Sequence, residues 1–210
     1  MNLTQMLSLV RRDLHDEVSA DYRWSDAELT RHIQRAVKEF STALPLPQIA
    51  TLPTLDGSRE VDITGLADRI MIEAVEYPLG CFPAAYQRFA LWDQILSILG
   101  PYIPNGSDCR VYYGRLHTLN ESQSTLPAYT EDLVIAGSCG YAVLQMAVSS
   151  INQVNNGGVS VPAELLSWGQ SQLAFFRSEL KRLGRRNRVR VNQLYLPAYP
   201  QVSNNRVYWP

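Results

Sequence analysis

The hydrophobic period of this chain changes twice, from helical to strand-like and back, and that change sets its fold class. In residues 3–14, Leu3, Met6, Leu7, Val10 and Leu14 recur at helical spacing and mark one face of a short amphipathic helix. Residues 16–22 are polar and read as a loop. Ser25-Asp26-Ala27-Glu28 is a capping box, in which the Ser25 hydroxyl accepts from the Glu28 amide and the Glu28 carboxylate returns to Ser25. Trp24 and Leu29 flank it as a hydrophobic staple. Leu29, Ile33, Val37 and Phe40 continue one buried face, with Arg31, Arg35 and Lys38 mostly outside it. Pro45 and Pro47 stop this helix.

From residue 48 to 119 the pattern is that of strands. Segments 48–52 and 59–63 flank Leu55-Asp56-Gly57-Ser58, a hairpin-like turn signal, and Val61 and Ile63 alternate with Glu60 and Asp62. Segments 69–77, 88–98 and 109–117 are rich in β-branched, aromatic and aliphatic residues. Pro78, Pro83, Gly100, Pro101 and Gly106 punctuate them. Four or five strands are expected, although Trp92, Ile95 and Leu99 also fit a helical period.

Residues 130–154 return to helix, with Leu133, Gly137, Gly140, Leu144, Val148 and Ile151 as a stripe whose small members admit another backbone. Asn155-Asn156-Gly157-Gly158 ends it, and Pro162 opens the next helix, where its missing amide costs little. Leu166, Gly169, Leu173, Phe176, Leu180 and Leu183 recur at spacings of three and four, and Gly184 supplies a stop. The pair reads as an antiparallel hairpin. The expected fold is therefore α+β: mainly a helical bundle of two N-terminal helices and a C-terminal hairpin, with a small antiparallel β insert at about 48–119. Residues 1–184 form the domain and 185–210 an extended tail.

That tail carries the strongest compositional signal. Residues 180–210 hold no Asp or Glu but seven of the 19 basic residues, so residues 1–179 carry a net charge of −8. An acidic body with a basic end points to a partner for that end, nucleic acid or an acidic protein surface. Three prolines and Tyr195, Tyr199, Tyr208 and Trp209 follow the arginines. Alone in water such a segment is extended. The basic run 177–190 has three readings: a solvated helix face, docking to an acidic protein, or contact with DNA. The aromatics suit stacking on single strands and equally suit anchoring in protein pockets.

Apolar residues make up 46% and charged residues 19%, ordinary proportions for a globular chain. Cys81, Cys109 and Cys139 are odd in number and widely spaced, which fits a reducing cytoplasm rather than a disulfide framework. The first residues lack a signal-peptide pattern, and no apolar run approaches membrane-spanning length, so no membrane role is expected.

Nothing in the residue pattern indicates chemistry. His15, His32 and His117 are not at metal-ligand spacing and read as surface or loop histidines. Gly137-Ser138-Cys139-Gly140 lacks the Gly-x-Ser-x-Gly elbow and lies within a helical stripe. The acidic pairs Asp16-Glu17 and Glu131-Asp132 lie near helix ends and read as solvated or capping carboxylates. No phosphate-cradling glycine loop and no dinucleotide fingerprint is present. Catalytic, cofactor and metal residues are expected to be none.

Leu9-Val10-Arg11-Arg12-Asp13-Leu14, Tyr22-Arg23-Trp24-Ser25-Asp26-Ala27-Glu28-Leu29, Arg31-His32-Ile33-Gln34-Arg35-Ala36 and Arg110-Val111-Tyr112-Tyr113 with Leu116-His117-Thr118-Leu119 together resemble head-to-tail adaptor subunits of tailed bacteriophages. The resemblance covers roughly residues 3–183. It implies a non-enzymatic virion protein, assembled in the host cytoplasm and placed in the neck. It implies a cyclic homo-oligomer, expected to be twelvefold like the portal above it, around the DNA channel and in contact with tail or nozzle proteins. It further implies a C-terminal extension that reaches the portal. Arg185, Arg186, Arg188, Arg190, Tyr195, Tyr199, Tyr208 and Trp209 are the residues expected to meet the portal or the channel DNA. A tail-terminator or stopper ring is a close alternative. A nucleic-acid-binding regulator using the basic end is the rival from another class, and the acidic body argues against it.

Overall fold

The structure, a computed structural model, describes residues 1–153 and 163–193, with side chains to 148 and over 163–187. Among these residues it is α+β, with four α-helices and two antiparallel sheets, and the chain divides into two compact units. One comprises Met1–Leu46 and Leu116–Arg185; the other comprises Pro47–Arg115 and the chain from Arg186. Each has its own apolar core.

The helical unit holds α1 (Leu3–Asp13), α2 (Asp26–Ala43), α3 (Glu131–Gln153) and most of α4 (Ala163–Gln193). The expected face of α1 is the buried one, with Met6, Val10 and Leu14 in the core and Leu3 and Leu7 packed against it. The capping box of α2 is present: the Glu28 amide donates to the Ser25 hydroxyl at 3.3 Å and the Ser25 amide to the Glu28 carboxylate at 2.9 Å. Trp24 and Leu29 lie in the same buried cluster, and the Trp24 indole donates to the Ala142 carbonyl at 3.1 Å. The acids Glu131 and Asp132 occupy the first turn of α3, where the helix dipole favours them.

The small residues of α3 and α4 set how closely those helices approach. A Cβ at Gly137 would stand 2.9 Å from the Phe176 ring, at Gly140 2.5 Å from Leu173 Cγ, and at Gly169 2.6 Å from Val143 Cγ1. The paired numbers run in opposite directions, which makes the helices antiparallel. Segments 155–158 and Pro162, expected to end one helix and open the next, lie outside the described residues.

The strand unit corrects the expectation of a small insert. Seven strands form two sheets: β1 (Leu46–Pro53), β7 (Asp108–Arg115), β3 (Arg69–Glu76) and β4 (Tyr86–Gln87) in that order, and β2 (Glu60–Asp62), β6 (Ile95–Ile98) and β5 (Phe89–Trp92). β1 carries Pro47 and Pro53 and is an edge strand, where a missing amide is tolerated. β3 lies between two neighbours and is buried from Ile72 to Glu76. Segment 88–98 is a hairpin rather than a helix, turning at Asp93 (φ 53°). The turn at 55–58 is real, with Gly57 at φ 73°, but its flanking strands belong to different sheets. A turn signal is local; the pairing partner is chosen by burial, and Val61 finds Leu96 on β6 instead.

Gly184 does not stop α4. It stays helical, and no proline or left-handed residue interrupts the chain before Gln193. Residues 185–193 are therefore a continuation of the helix, not the start of an extended tail.

Candidate functional site

α4 carries Arg185, Arg186, Arg188 and Arg190 as part of its last turns. Arg185 and Arg186 are exposed, as are Lys181 and Arg182. Arg182 is paired with Glu179 at 2.6 Å, and that contact lowers the Glu179 carboxyl below its ordinary value. Residues 189–193 are helical. Tyr195, Tyr199, Tyr208 and Trp209 lie outside the described residues.

Not all of the side chains expected to be solvated are so. Ser138 donates to the Val134 carbonyl at 2.7 Å within α3. Burial, with a smaller contribution from the Asp13 charge, pushes the Cys139 thiol up to about 12, so it is no nucleophile at neutral pH. Two of the three histidines correct the surface reading: His32 and His117 are buried, while His15 is exposed. The His117 ring lies between the Leu44 carbonyl, 3.0 Å from Nε2, and the Thr125 carbonyl, 2.9 Å from Nδ1. Asp16, expected to be solvated, is buried against Arg11. Among the described residues no group of His, Cys, Asp and Glu side chains could hold a metal ion. No helix among them is long and apolar enough to cross a membrane.

Two surface features stand out instead. The first is in the strand unit: Phe82, Leu91, Trp92, Ile95, Leu99, Tyr102 and Ile103 are all exposed. They are seven of the fourteen exposed large apolar side chains among the described residues, confined to 22 positions. Trp92 and Ile95 are cross-strand partners at the tip of the β5–β6 hairpin, 83% and 41% exposed.

The second is an open recess of about 320 Å³ on the helical unit, where α2, α3 and α4 meet. Arg31 and Arg35, one turn apart on α2, and Arg177 on α4 supply its charge. Tyr141, Leu144, Gln145 and Val148 supply a face of α3 at helical spacing. The Arg35 guanidinium stacks 3.9 Å above the Tyr141 ring and reaches Glu39 at 3.4 Å. The Tyr141 hydroxyl donates to both Glu39 oxygens, at 2.7 and 2.6 Å. Burial raises the Tyr141 phenol, Glu39 adds to this, and Arg177 opposes it. Beneath, the His32 ring contacts the Gln145 carbonyl oxygen, and the Gln145 amide donates to Glu28 at 3.1 Å. Burial holds the His32 imidazole below its ordinary value against the Gln145 contact, and Arg31 and Arg35 add to the lowering. The recess is thus lined by three permanent cations and a histidine disposed to stay neutral.

The sequence placed Arg31 and Arg35 outside the core face of α2 but did not join them to Arg177, 142 positions beyond Arg35. Their spacing of four was the readable half of the signal; the packing of α4 supplies the other half.

No family model matches the chain, and no curated protein matches it.

Proposed function

We propose that the chain is a structural subunit of the neck of a tailed bacteriophage, a head-to-tail adaptor that forms a ring beneath the portal around the DNA channel. The single observation that carries this reading beyond the resemblance is the band of exposed apolar side chains between Phe82 and Ile103. Covering such groups with a partner removes apolar surface from water, which favours association. In a ring of identical subunits each copy covers part of its neighbour. No catalytic, cofactor or metal role is assigned.

The basic end of α4, with Lys181, Arg182, Arg185 and Arg186 exposed, is the proposed contact with the portal, and it also meets the duplex in the channel. Arg188 and Arg190 continue it on the same helix. Tyr195, Tyr199, Tyr208 and Trp209 are the proposed anchors on the portal, and tail or nozzle proteins lie on the other side of the ring. The exposed arginines also favour a second reading, a DNA-binding regulator.

Removing residues 185–210 separates the two readings. Co-sedimentation with portal rings of the same virus is expected to be lost, while the truncated chain still unfolds cooperatively and loses only the helical signal of the last turns of α4. A full chain that does not bind portal rings but loses duplex affinity on truncation supports the regulator instead.

A further inference from the structure

The recess carries three arginines, and Glu39 is the one carboxylate that forms a salt bridge with any of them among the described residues. Arg31 and Arg177 form no salt bridge among the described residues, and Arg35 has only the 3.4 Å contact with Glu39. Like charges one turn apart on a helix repel, so Arg31 and Arg35 are destabilising to each other until an acid joins them. The remaining lining is mixed: Leu144, half-buried, and Val148, 64% exposed, are its aliphatic part, beside His32, Tyr141 and Gln145. A complementary ligand therefore carries a carboxylate beside apolar side chains. A duplex backbone offers phosphates but no apolar group, and the net charge of −8 on residues 1–179 disfavours it.

The chain presents such a ligand on its own surface. The β5–β6 hairpin ends in Leu91-Trp92-Asp93-Gln94-Ile95, exposed at every position. Asp93 forms no salt bridge among the described residues. It sits between exposed Trp92 and Ile95, which are directly paired across the hairpin.

We propose that this hairpin tip docks into the recess of a second copy, with the Asp93 carboxylate among Arg31, Arg35 and Arg177 and the flanking apolar groups against Leu144 and Val148. Knob and recess are different surfaces, so the contact is heterologous. Repeated, it closes a ring or propagates. The inference rests on the ring reading above and names the residues of its interface. Arg31 and Asp93 are exposed and form no salt bridge among the described residues, so reversing them does not disturb a core.

Charge reversal with rescue tests it. Sedimentation velocity over a concentration series measures self-association of the full chain. Arg31→Glu is expected to weaken it about tenfold or more, and Asp93→Arg to do the same. A mixture of the two variants is expected to recover association between them, with circular dichroism unchanged throughout. If the parent associates but neither reversal weakens it, or the mixture does not recover, the hairpin contact is wrong while the ring reading stands. If the parent never associates at any concentration, both fail. If the arginine reversal lowers duplex-DNA affinity in fluorescence anisotropy but leaves self-association intact, the recess is a nucleic-acid site and the proposal is overturned.

Discussion

The Arg11 guanidinium lies 2.6 Å from the Asp16 carboxylate, with side chains 7% and 1% exposed. The same guanidinium donates to the Trp24 carbonyl at 3.0 Å and to Asp26 at 2.5 Å, and it stacks 3.5 Å from the Tyr22 ring centroid. Asp16 in turn accepts from the Arg23 amide at 2.7 Å. One side chain on α1 thereby fixes the loop and the start of α2. Arg11→Met leaves Asp16 buried without its cation, and a broken buried pair costs about 3–5 kcal/mol. Ser25→Ala, which removes only the cap, is expected to cost about 1 kcal/mol. Denaturant unfolding of both variants checks the order, and an Arg11 variant no weaker than the Ser25 variant contradicts it.

This network also shows where the sequence stopped being legible. The faces of α1 and α2, the capping box and the strand-rich middle follow from local periodicity and turn chemistry, and the structure has them. Asp16 looked solvated because its neighbours in sequence are polar; its burial depends on Arg11 folding back over the loop. His32 and His117 were misread for the same reason, since each is buried by elements more than 70 positions away: His32 against Gln145, and His117 against Leu44. Gly184 looked like a stop because glycine permits the left-handed turn, but permission is not a requirement, and α4 continues. The arginine recess needs three helices and was not readable from any one of them.

The small-residue stripe, expected to admit another backbone, is occupied inside the hairpin of α3 and α4. A methyl at Gly140 meets Leu173 Cγ at 2.5 Å and the Gly169 carbonyl at 3.0 Å. Gly140→Ala is therefore expected to destabilise by about 1–3 kcal/mol through overpacking. Gly184→Ala meets nothing nearer than the Ala43 carbonyl at 3.6 Å. There the gain in helix propensity is expected to prevail, stabilising by about 0.5–1 kcal/mol. Opposite signs in thermal melts of the two variants bear this out; the same sign contradicts it.

The lowered His32 imidazole makes stability depend on pH with a definite sign. Below the ordinary value of 6.5 the unfolded chain takes a proton that the folded chain refuses. The His32 contribution is thus fully present above that value and is lost as pH falls toward the folded pKa. Glu28, lowered chiefly by its bond from the Ser25 amide, acts in the same direction below its ordinary 4.5. Denaturant midpoints at about pH 7.5 and 5.5 are expected to fall with pH in the parent and to fall less in His32→Gln. Parallel losses in both proteins contradict the assignment.

Cys81 is exposed, whereas Cys109 and Cys139 are buried with thiols raised chiefly by burial. Iodoacetamide at mildly alkaline pH is expected to label Cys81 alone in the native chain and all three cysteines after unfolding. Mass spectrometry of the tryptic fragments reads the sites. Native labelling of Cys139 would mean that α3 is open to solvent.

The ring itself is the central claim, and electron microscopy of the protein assembled on portal rings of the same virus tests it most directly. A closed rotational ring is expected, in which every subunit meets its neighbour through two different surfaces. A two-fold dimer built on one shared surface, or a monomer that leaves the portal bare, would contradict it.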